Sequence, residues 1–323
     1  CNITWVVRRR FGSKHLGRRR VLARQMAERS SEGERGDDAS PAAGESAALS
    51  DNFVNDSAMM IAYERALESK RPDALFQDEF ADVMAGSKGA ELSANFGGMC
   101  SLFKLDGWPE FHKQWTAVRT RFIDDAIQAR ADTGGFAQIV NLGAGMDTRA
   151  YRMQCFAKFD RAFDVDMAGV NESRQKVFRD VLRAPKAHCP VISVDIDFLD
   201  EQVSVREALV GRGFDAEKPS VFFAEGLIMY LGAAGKVKFL REVSAAAAPG
   251  SVFVLQFLDP GDADGDAAQA ALTEAEARDA LGAGGWAELQ CWKFGEEGLN
   301  FGRFPLDKFG PCCAFSFAVA CKR

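Results

Sequence analysis

NLGAGMDTR at 141–149 is the stretch whose reading decides the fold of this chain. The apolar run AQIVNL (137–142) leads straight into Gly143-Ala144-Gly145, and a helical stretch is expected at 148–156. An apolar strand that turns through glycines into a helix opens many α/β sheets, whose ligands bind beyond the carboxyl ends of the strands. Glycine lets the backbone approach a ligand because no Cβ stands in the way. A tight strand-to-helix turn alone would ask for the same glycines, so the downstream pattern has to decide.

Downstream, RAFDVD (161–166), PVISVD (190–195), SVFFAE (220–225) and SVFVLQFL (251–258) read as further buried strands. Helices are expected between them at 169–183, 201–211 and 233–248. Continuously apolar strands alternating with helices imply a parallel sheet covered on both faces. AELQCWKF (287–294) and CCAFSFAVA (312–320) follow with no long helix between them, as an antiparallel edge pair would. Residues 260–285 read as a loop plus a helix. Upstream, Met59, Met60, Tyr63 and Leu67 recur at helical spacing, with Asp56 or Ser57 as the cap. Another helix is expected over 110–131, with Trp115, Val118, Phe122 and Ile127 on its apolar face.

The strand tips carry the chemistry. The second strand ends in Asp166, placed to accept both ribose hydroxyls of a nucleoside, and the third ends in Asp195-Ile196-Asp197. The fourth runs into Glu225. A dinucleotide-binding loop also wants an acid at the second tip, but it asks for a third glycine where this chain has Thr148. Acids at successive tips suit a cationic sulfonium nucleoside better than an anionic dinucleotide. Helix capping remains an alternative role for Asp197 and Asp200.

Together NLGAGMDTRAYR (141–152), FDVDM (163–167), SVDIDFLD (193–200) and AEGLIMYL (224–231) resemble the leucine carboxyl methyltransferase family, in its order and spacing, over roughly residues 52–258. That family includes the eukaryotic enzymes that methylate the C-terminal leucine of protein phosphatase 2A, and bacterial relatives, some acting in polyketide O-methylation. The resemblance implies a doubly wound, Rossmann-like class I methyltransferase sheet with an N-terminal helical extension and an antiparallel C-terminal edge. It implies S-adenosyl-L-methionine as cofactor, with Gly143 and Gly145 in the loop and Asp166 on the ribose. Asp195 and Ile196 then fall at the adenine, and Glu225 follows the fourth strand. The family's arginine for the cofactor carboxylate falls on Arg119, with Arg121 two residues on, and its further basic contact near the N-terminal helix on Arg65. DTRAYR (147–152) and RALESKRPDALFQDEFA (65–81) resemble the bacterial branch more closely than the phosphatase-methylating one.

An acceptor carboxylate is ionised at neutral pH and needs no base, whereas a hydroxyl needs one. The chain has three histidines: His188 falls before the third strand and His112 in the early helical region, so neither is expected near the motifs. A carboxylate or acidic hydroxyl of a small molecule or protein C-terminus is therefore the expected acceptor. Tyr230 is expected to line its pocket, or else to be a core tyrosine with a partnered hydroxyl. Arg149 and Arg152 are expected to brace the loop to Asp147 rather than to bind the acceptor. A nicotinamide-dependent oxidoreductase and a non-catalytic binding module on the same fold are the competing readings.

Bulk properties exclude other classes. A formal charge of −6 argues against nucleic acid as a partner, which needs a dense basic face. No run approaches 18 uninterrupted apolar residues, so no membrane span is expected. None of the eight cysteines is spaced as CxxC, and no histidine pair sits at ligand spacing, so no metal site is expected. The cysteines read as the reduced thiols of a cytoplasmic protein. Residues 1–24 carry eight basic and no acidic residues, as organelle presequences do; translated upstream sequence ahead of Met26, or a disordered basic tail, would give the same composition. Residues 28–51, rich in Ser, Gly, Ala and acids, are expected to be disordered, which places the folded domain at 52–323. Oligomeric state leaves no signal in the sequence.

Overall fold

The computed structural model describes residues 51–95, 108–259, 271–294, 296, 298–303 and 315–323. The expectations for residues 1–50, for 260–270 and for 312–314 lie outside the described residues. Within them the sheet runs in the order β3-β2-β1-β4-β5-β7-β6. β1 (Gln138–Leu142), β2 (Arg161–Asp166), β3 (Val191–Asp195), β4 (Ser220–Ala224) and β5 (Val252–Leu258) are parallel, and each falls within a residue of its expected bounds. β6 (Trp286–Lys293) and β7 (Phe315–Lys322) form the antiparallel end, β7 pairing with β5 and β6 taking the edge. Strand order reverses between β1 and β4. There the crossovers leave toward opposite faces, and a crevice opens at the strand tips.

The central strands are buried on both faces because apolar residues occupy successive positions rather than every second one. Ile139, Val221, Phe223, Val252 and Val254 join one core, and Val140, Leu142, Phe222, Phe253 and Leu255 join the other. α4 (Trp108–Thr133) covers the first face with Trp115, Val118, Phe122 and Ile127, all essentially inaccessible. Its rings stack on β7, Trp115 on Phe315 and Phe122 on Phe317, each at 4.2 Å between centroids. A buried side chain of this size contributes about 1.5–3 kcal/mol of apolar transfer, so this layer fixes where α4 sits. α8 (Gly232–Ala246) covers the other face with Phe239, Leu240 and Val243.

The N-terminal extension is α1 (Asp51–Ser69), α2 (Ala81–Ala85) and α3 (Gly89–Asn95). α1 is already helical at Asp51, so Asp56 and Ser57 lie inside it and do not cap it. The helix expected at 148–156 divides into α5 (Arg149–Arg152) and a 3₁₀ turn, Gln154–Lys158, because Met153 between them takes an extended backbone. α6 (Ala168–Lys176) runs on into a wider turn at Val177–Val181. α7 (Val205–Gly211) begins later than expected, where the Ser204 hydroxyl accepts the Glu207 N–H and ends the loop. α9 (Glu274–Ala283) opens with a reciprocal cap between Thr273 and Glu276.

Cys155, Cys189 and Cys291 are free thiols, as expected. Cys321 is disulfide-bonded, which departs from the reading of every cysteine as reduced. Bonding requires a second sulfur close in space, and spacing along the chain does not reveal that proximity. Among the described residues, no helix is long and apolar enough to cross a membrane.

Candidate active site

The glycine turn sits at the tip of β1. Gly143 has φ +75°, in the left-handed region, and its N–H donates to the Val165 carbonyl at 2.8 Å. A Cβ on Gly143 would stand 3.1 Å from Leu227, so the turn needs glycine both for conformation and for room. Gly145 N–H donates to Asp166 Oδ2 at 2.6 Å, joining the loop to the tip of β2. Three arginines brace the loop from outside: Arg65 donates to the Met146 carbonyl at 2.6 Å, Arg174 to the Gly145 carbonyl at 2.9 Å, and Arg149 pairs with Asp147. Thr148, where a dinucleotide loop would carry glycine, buries its hydroxyl on Asp78 at 2.7 Å, and Asp78 in turn holds Arg65 at 2.9 Å.

At the β2 tip, Asp166 is buried and borders the cleft. Asp195 does not border it. That residue pairs in register with Asp166 at the end of β3, but its carboxylate accepts from Asn171 on α6 at 2.7 Å. Ile196 is buried in the core and donates its N–H to the Asp166 carbonyl. The residues of this strand that border the cleft are Asp197, Phe198 and Leu199, beyond the end of β3. Of the two acids, Asp197 and not Asp195 borders the cleft. Asp197 also accepts the Leu199 N–H at 2.8 Å, and Asp200 accepts the Gln202 N–H at 2.9 Å, both within the loop; Ser204 caps the following helix, so neither acid takes the helix-capping role.

After β4, Glu225 lies between two guanidiniums, Arg119 Nε at 2.7 Å and Arg149 Nη2 at 2.7 Å. Burial pushes its carboxyl up, but Arg149 and Arg119 outweigh burial and hold it down to about 2. Gly226, at φ +67°, leaves space in which Arg119 Nη1 would sit 3.2 Å from a Cβ. Gln256 on β5 holds the Gly226 N–H at 2.8 Å. Arg121 turns away and bonds Asp125 and the Leu75 carbonyl, outside the cleft. Arg149 and Arg152 both bond Asp124 at 2.7 Å; Arg149 also pairs with Asp147 as expected, whereas Arg152 does not and turns to Asp124 and Asp78 instead.

The cleft that these residues border holds about 1230 Å³ of space, its solvent mouth included. Its lining also includes Met60, Ile61, Trp115, Met229 and Phe315, with Ser57, Tyr230 and His112 among them. Tyr230 OH lies 3.2 Å from the Ser57 hydroxyl, tying the segment after β4 to α1. His112 was expected away from the motifs; the structure places it in the cleft, with Nδ1 2.8 Å from the buried Glu64. One available signal was helical spacing: His112, Trp115 and Arg119 stand three and seven residues apart, on one face of α4. Asp78, Arg174 and Gln256 left no comparable signal, because each bonds groups distant in sequence.

Four carboxylates (Asp147, Asp166, Asp197 and Glu225) and two guanidiniums (Arg65 and Arg119) border the cleft, a net negative lining. That balance suits a cationic nucleoside and disfavours an anionic dinucleotide. The donor set also fits S-adenosylmethionine part by part: a glycine turn for close approach, a carboxylate for a ribose, and a guanidinium for a carboxylate.

Residues 58–244 match the profile of a family described as leucine carboxyl methyltransferase. A proposed S-adenosyl-L-methionine-dependent methyltransferase of Parafrankia sp. (strain EAN1pec) is 34% identical over 252 residues, spanning 76% of this chain and 74% of its own. A Mycobacterium tuberculosis protein of the same description is 31% identical over 211 residues, spanning 65% of this chain and 63% of its own, just under two thirds of that relative. Among solved structures, a DUF574 family protein from Streptomyces avermitilis superposes with a TM-score of 0.54 at 14% identity, covering 83% of this chain and 97% of that one. A proposed methyltransferase from Thermobifida fusca gives 0.52 at 16% identity, covering 82% and 94%. At such identities these two speak for the fold alone.

Proposed function

This chain belongs to the leucine carboxyl methyltransferase family, and we propose that it moves the methyl group of S-adenosylmethionine to an oxygen nucleophile, a carboxylate or an acidic hydroxyl. Family membership makes it an S-adenosylmethionine-dependent methyltransferase. The acceptor and the residue roles are our reading. The single observation that carries it is the convergence of Gly143, Asp166, Arg119 and Glu225 on one cleft whose remaining lining is largely apolar and holds a few hydroxyls.

In this reading Gly143 and Gly145 give backbone access, Asp166 holds the ribose hydroxyls, Asp197 and Phe198 flank the adenine, and Arg119 binds the cofactor carboxylate. Glu225 fixes Arg119 at 2.7 Å, so the guanidinium is oriented before ligand arrives. The cofactor supplies a methyl carbon already activated by positive sulfur. The protein's contribution is then mainly to align an acceptor oxygen with that carbon and to exclude water, which the apolar part of the lining serves. Tyr230, which lines the cleft and meets Ser57 of α1, contacts the acceptor. The acceptor is a small molecule or the carboxyl end of a protein.

Thermal-shift measurements with S-adenosylhomocysteine and with NAD test the cofactor half: the first should raise the melting temperature and the second should not. A labelled-methyl assay against a phosphatase C-terminal peptide and against extracted metabolites tests the acceptor half. Stabilisation by NAD and not by S-adenosylhomocysteine would overturn the reading.

A further inference from the structure

Arg174 on α6 is 2% exposed, uncommon for a guanidinium, and its bonds run toward the strand tips. Its Nη1 donates to the Gly145 carbonyl at 2.9 Å and its Nη2 to Asn171 Oδ1 at 2.8 Å, while Nη2 lies 3.4 Å from Asp164 Oδ2. Asn171, three residues earlier on the same helix face, is 1% exposed. Its oxygen is taken by Arg174, so its amide nitrogen faces the sheet. That nitrogen donates to the Asp166 carbonyl at 3.2 Å, to the Val194 carbonyl at 3.1 Å and to Asp195 Oδ1 at 2.7 Å. Two side chains of one helix thus join the β1 loop to the tips of β2 and β3. Gly145 is what they constrain. Its N–H is held by Asp166 and its carbonyl by Arg174, so the peptide planes on both sides are fixed at φ +48°. An unrestrained glycine takes either sign of φ, and a flip would turn this N–H away from Asp166. The second Asp166 oxygen accepts the Met167 N–H at 2.8 Å, so the whole carboxylate is oriented by backbone donors. Asp164 lies two residues before Asp166, on the same face of β2, and is buried. Around it stand Asn141 on β1, Arg174 on α6, Asp147 and Asp166 by the loop, Tyr151 on α5 and Cys189 ahead of β3. Arg174 is the cation of that set.

We propose that Arg174 is a positioning residue for the cofactor: it holds Gly145, and through it Asp166, in the binding geometry, and Asp164 is the countercharge that keeps the guanidinium in place. The inference deepens the methyl-transfer reading above and rests on it. Arg174 does not itself border the cleft, so it acts through the loop. A pH dependence of binding follows. Burial pushes the Asp164 carboxyl up to about 6; Arg174 offsets part of this, and Asp147 and Asp166 add to it. Above that pH Asp164 is an anion and pins the guanidinium against the loop. As pH falls through about 6 the carboxyl takes up a proton, Arg174 keeps only neutral acceptors, and the turn loses its restraint. Cofactor affinity therefore rises with pH through about 6 and then levels off.

The test uses the full chain and S-adenosylhomocysteine, with affinity by calorimetry from pH 5 to pH 8 and the melting temperature recorded alongside. Wild type should bind about tenfold more tightly at the upper end than at the lower, the scale of one charge-assisted hydrogen bond. Asp164→Asn, isosteric and uncharged, should bind at the wild-type acid level throughout, so that the step disappears. Arg174→Lys keeps the charge but not the fork, and should lose about tenfold at pH 7.5. Removing Arg174 alone leaves Asp164 buried without its partner, so the paired variant Arg174→Met with Asp164→Asn removes both charges. It should also bind about tenfold more weakly than wild type at pH 7.5, with no step. Where an Arg174 variant fails to fold, Asp164→Asn alone decides. A flat wild-type profile, a step that persists in Asp164→Asn, or wild-type affinity in folded Arg174 variants overturns the proposal while leaving cofactor binding in place. Failure of S-adenosylhomocysteine to bind wild type at any pH instead takes down the methyl-transfer reading beneath it.

Discussion

In one part of the cleft Glu225 is held between Arg119 and Arg149, each at 2.7 Å, beside a glycine turn braced by Arg65 and Arg174. The rest of the lining includes Trp115, Met229 and Phe315, with His112, whose Nδ1 lies 2.8 Å from the buried Glu64. The first part is a lattice of paired charges in which each arginine fixes a carboxylate or a loop carbonyl; the second is apolar surface with few polar groups. Charges that must meet a fixed, charged ligand have to be set in advance, because reorganising them in a buried site is costly. An acceptor site needs shape. The comparison makes unequal demands on mutation, and that inequality can be measured.

The largest effect should come from Glu225→Ala. It leaves Arg119 and Arg149 buried without their shared partner, and urea denaturation should show a loss of about 3–5 kcal/mol. A change under about 1 kcal/mol would mean that the lattice is not cooperative.

The same carboxylate sets a pH signature. Its folded value of about 2 lies below the ordinary 4.5, so its stabilisation is complete above pH 4.5 and is lost as pH falls from there toward 2, on the order of 3 kcal/mol in all. Asp164 works the other way. Burial pushes it up to about 6 from 3.8, with Arg174 at 3.4 Å offsetting only part. Its contribution is therefore complete below pH 3.8 and lost as pH rises through 6. Denaturation across pH 3–8 should show the acid-side loss in wild type and its absence in Glu225→Gln.

Arg119→Ala should cost about 100-fold in S-adenosylhomocysteine affinity by calorimetry, about 2.7 kcal/mol, with a much smaller stability change, because Glu225 keeps Arg149. Equal losses in affinity and stability would make Arg119 a structural residue only. A finer distinction separates neighbouring acids: Asp197→Ala should weaken S-adenosylhomocysteine by about tenfold, near 1.4 kcal/mol, and Asp195→Ala should not. The reverse ranking would return the adenine contact to the β3 tip. Smallest of all, Tyr230→Phe removes one hydroxyl that meets Ser57 at 3.2 Å, and should cost about 1 kcal/mol or less of stability without touching cofactor affinity.

The two parts also differ in how far the sequence foretells them. The charged part is built from strand tips, and each tip is adjacent in sequence to the apolar run that announces its strand. Gly143, Asp166 and Glu225 were legible for that reason. Which of the acids at 195 and 197 borders the cleft was not legible, because periodicity does not say at which residue pairing stops; β3 ends at Asp195, and Asp197 lines the cleft. The apolar part draws on α1, α4 and β7, and the Glu64–His112 contact joins residues 48 apart. No local rule links such residues until packing brings α1 against α4. Asp78, which ties Arg65 to Thr148, and Arg174, which reaches back to Gly145, are hidden for the same reason.

A crystal structure with S-adenosylhomocysteine bound tests the central claim most directly. It should place the ribose hydroxyls on Asp166, the backbone of Gly143 and Gly145 against the nucleoside, and the amino-acid carboxylate on Arg119. An adenosine found away from Gly143 and Asp166, or a carboxylate that leaves Arg119 untouched, would contradict it.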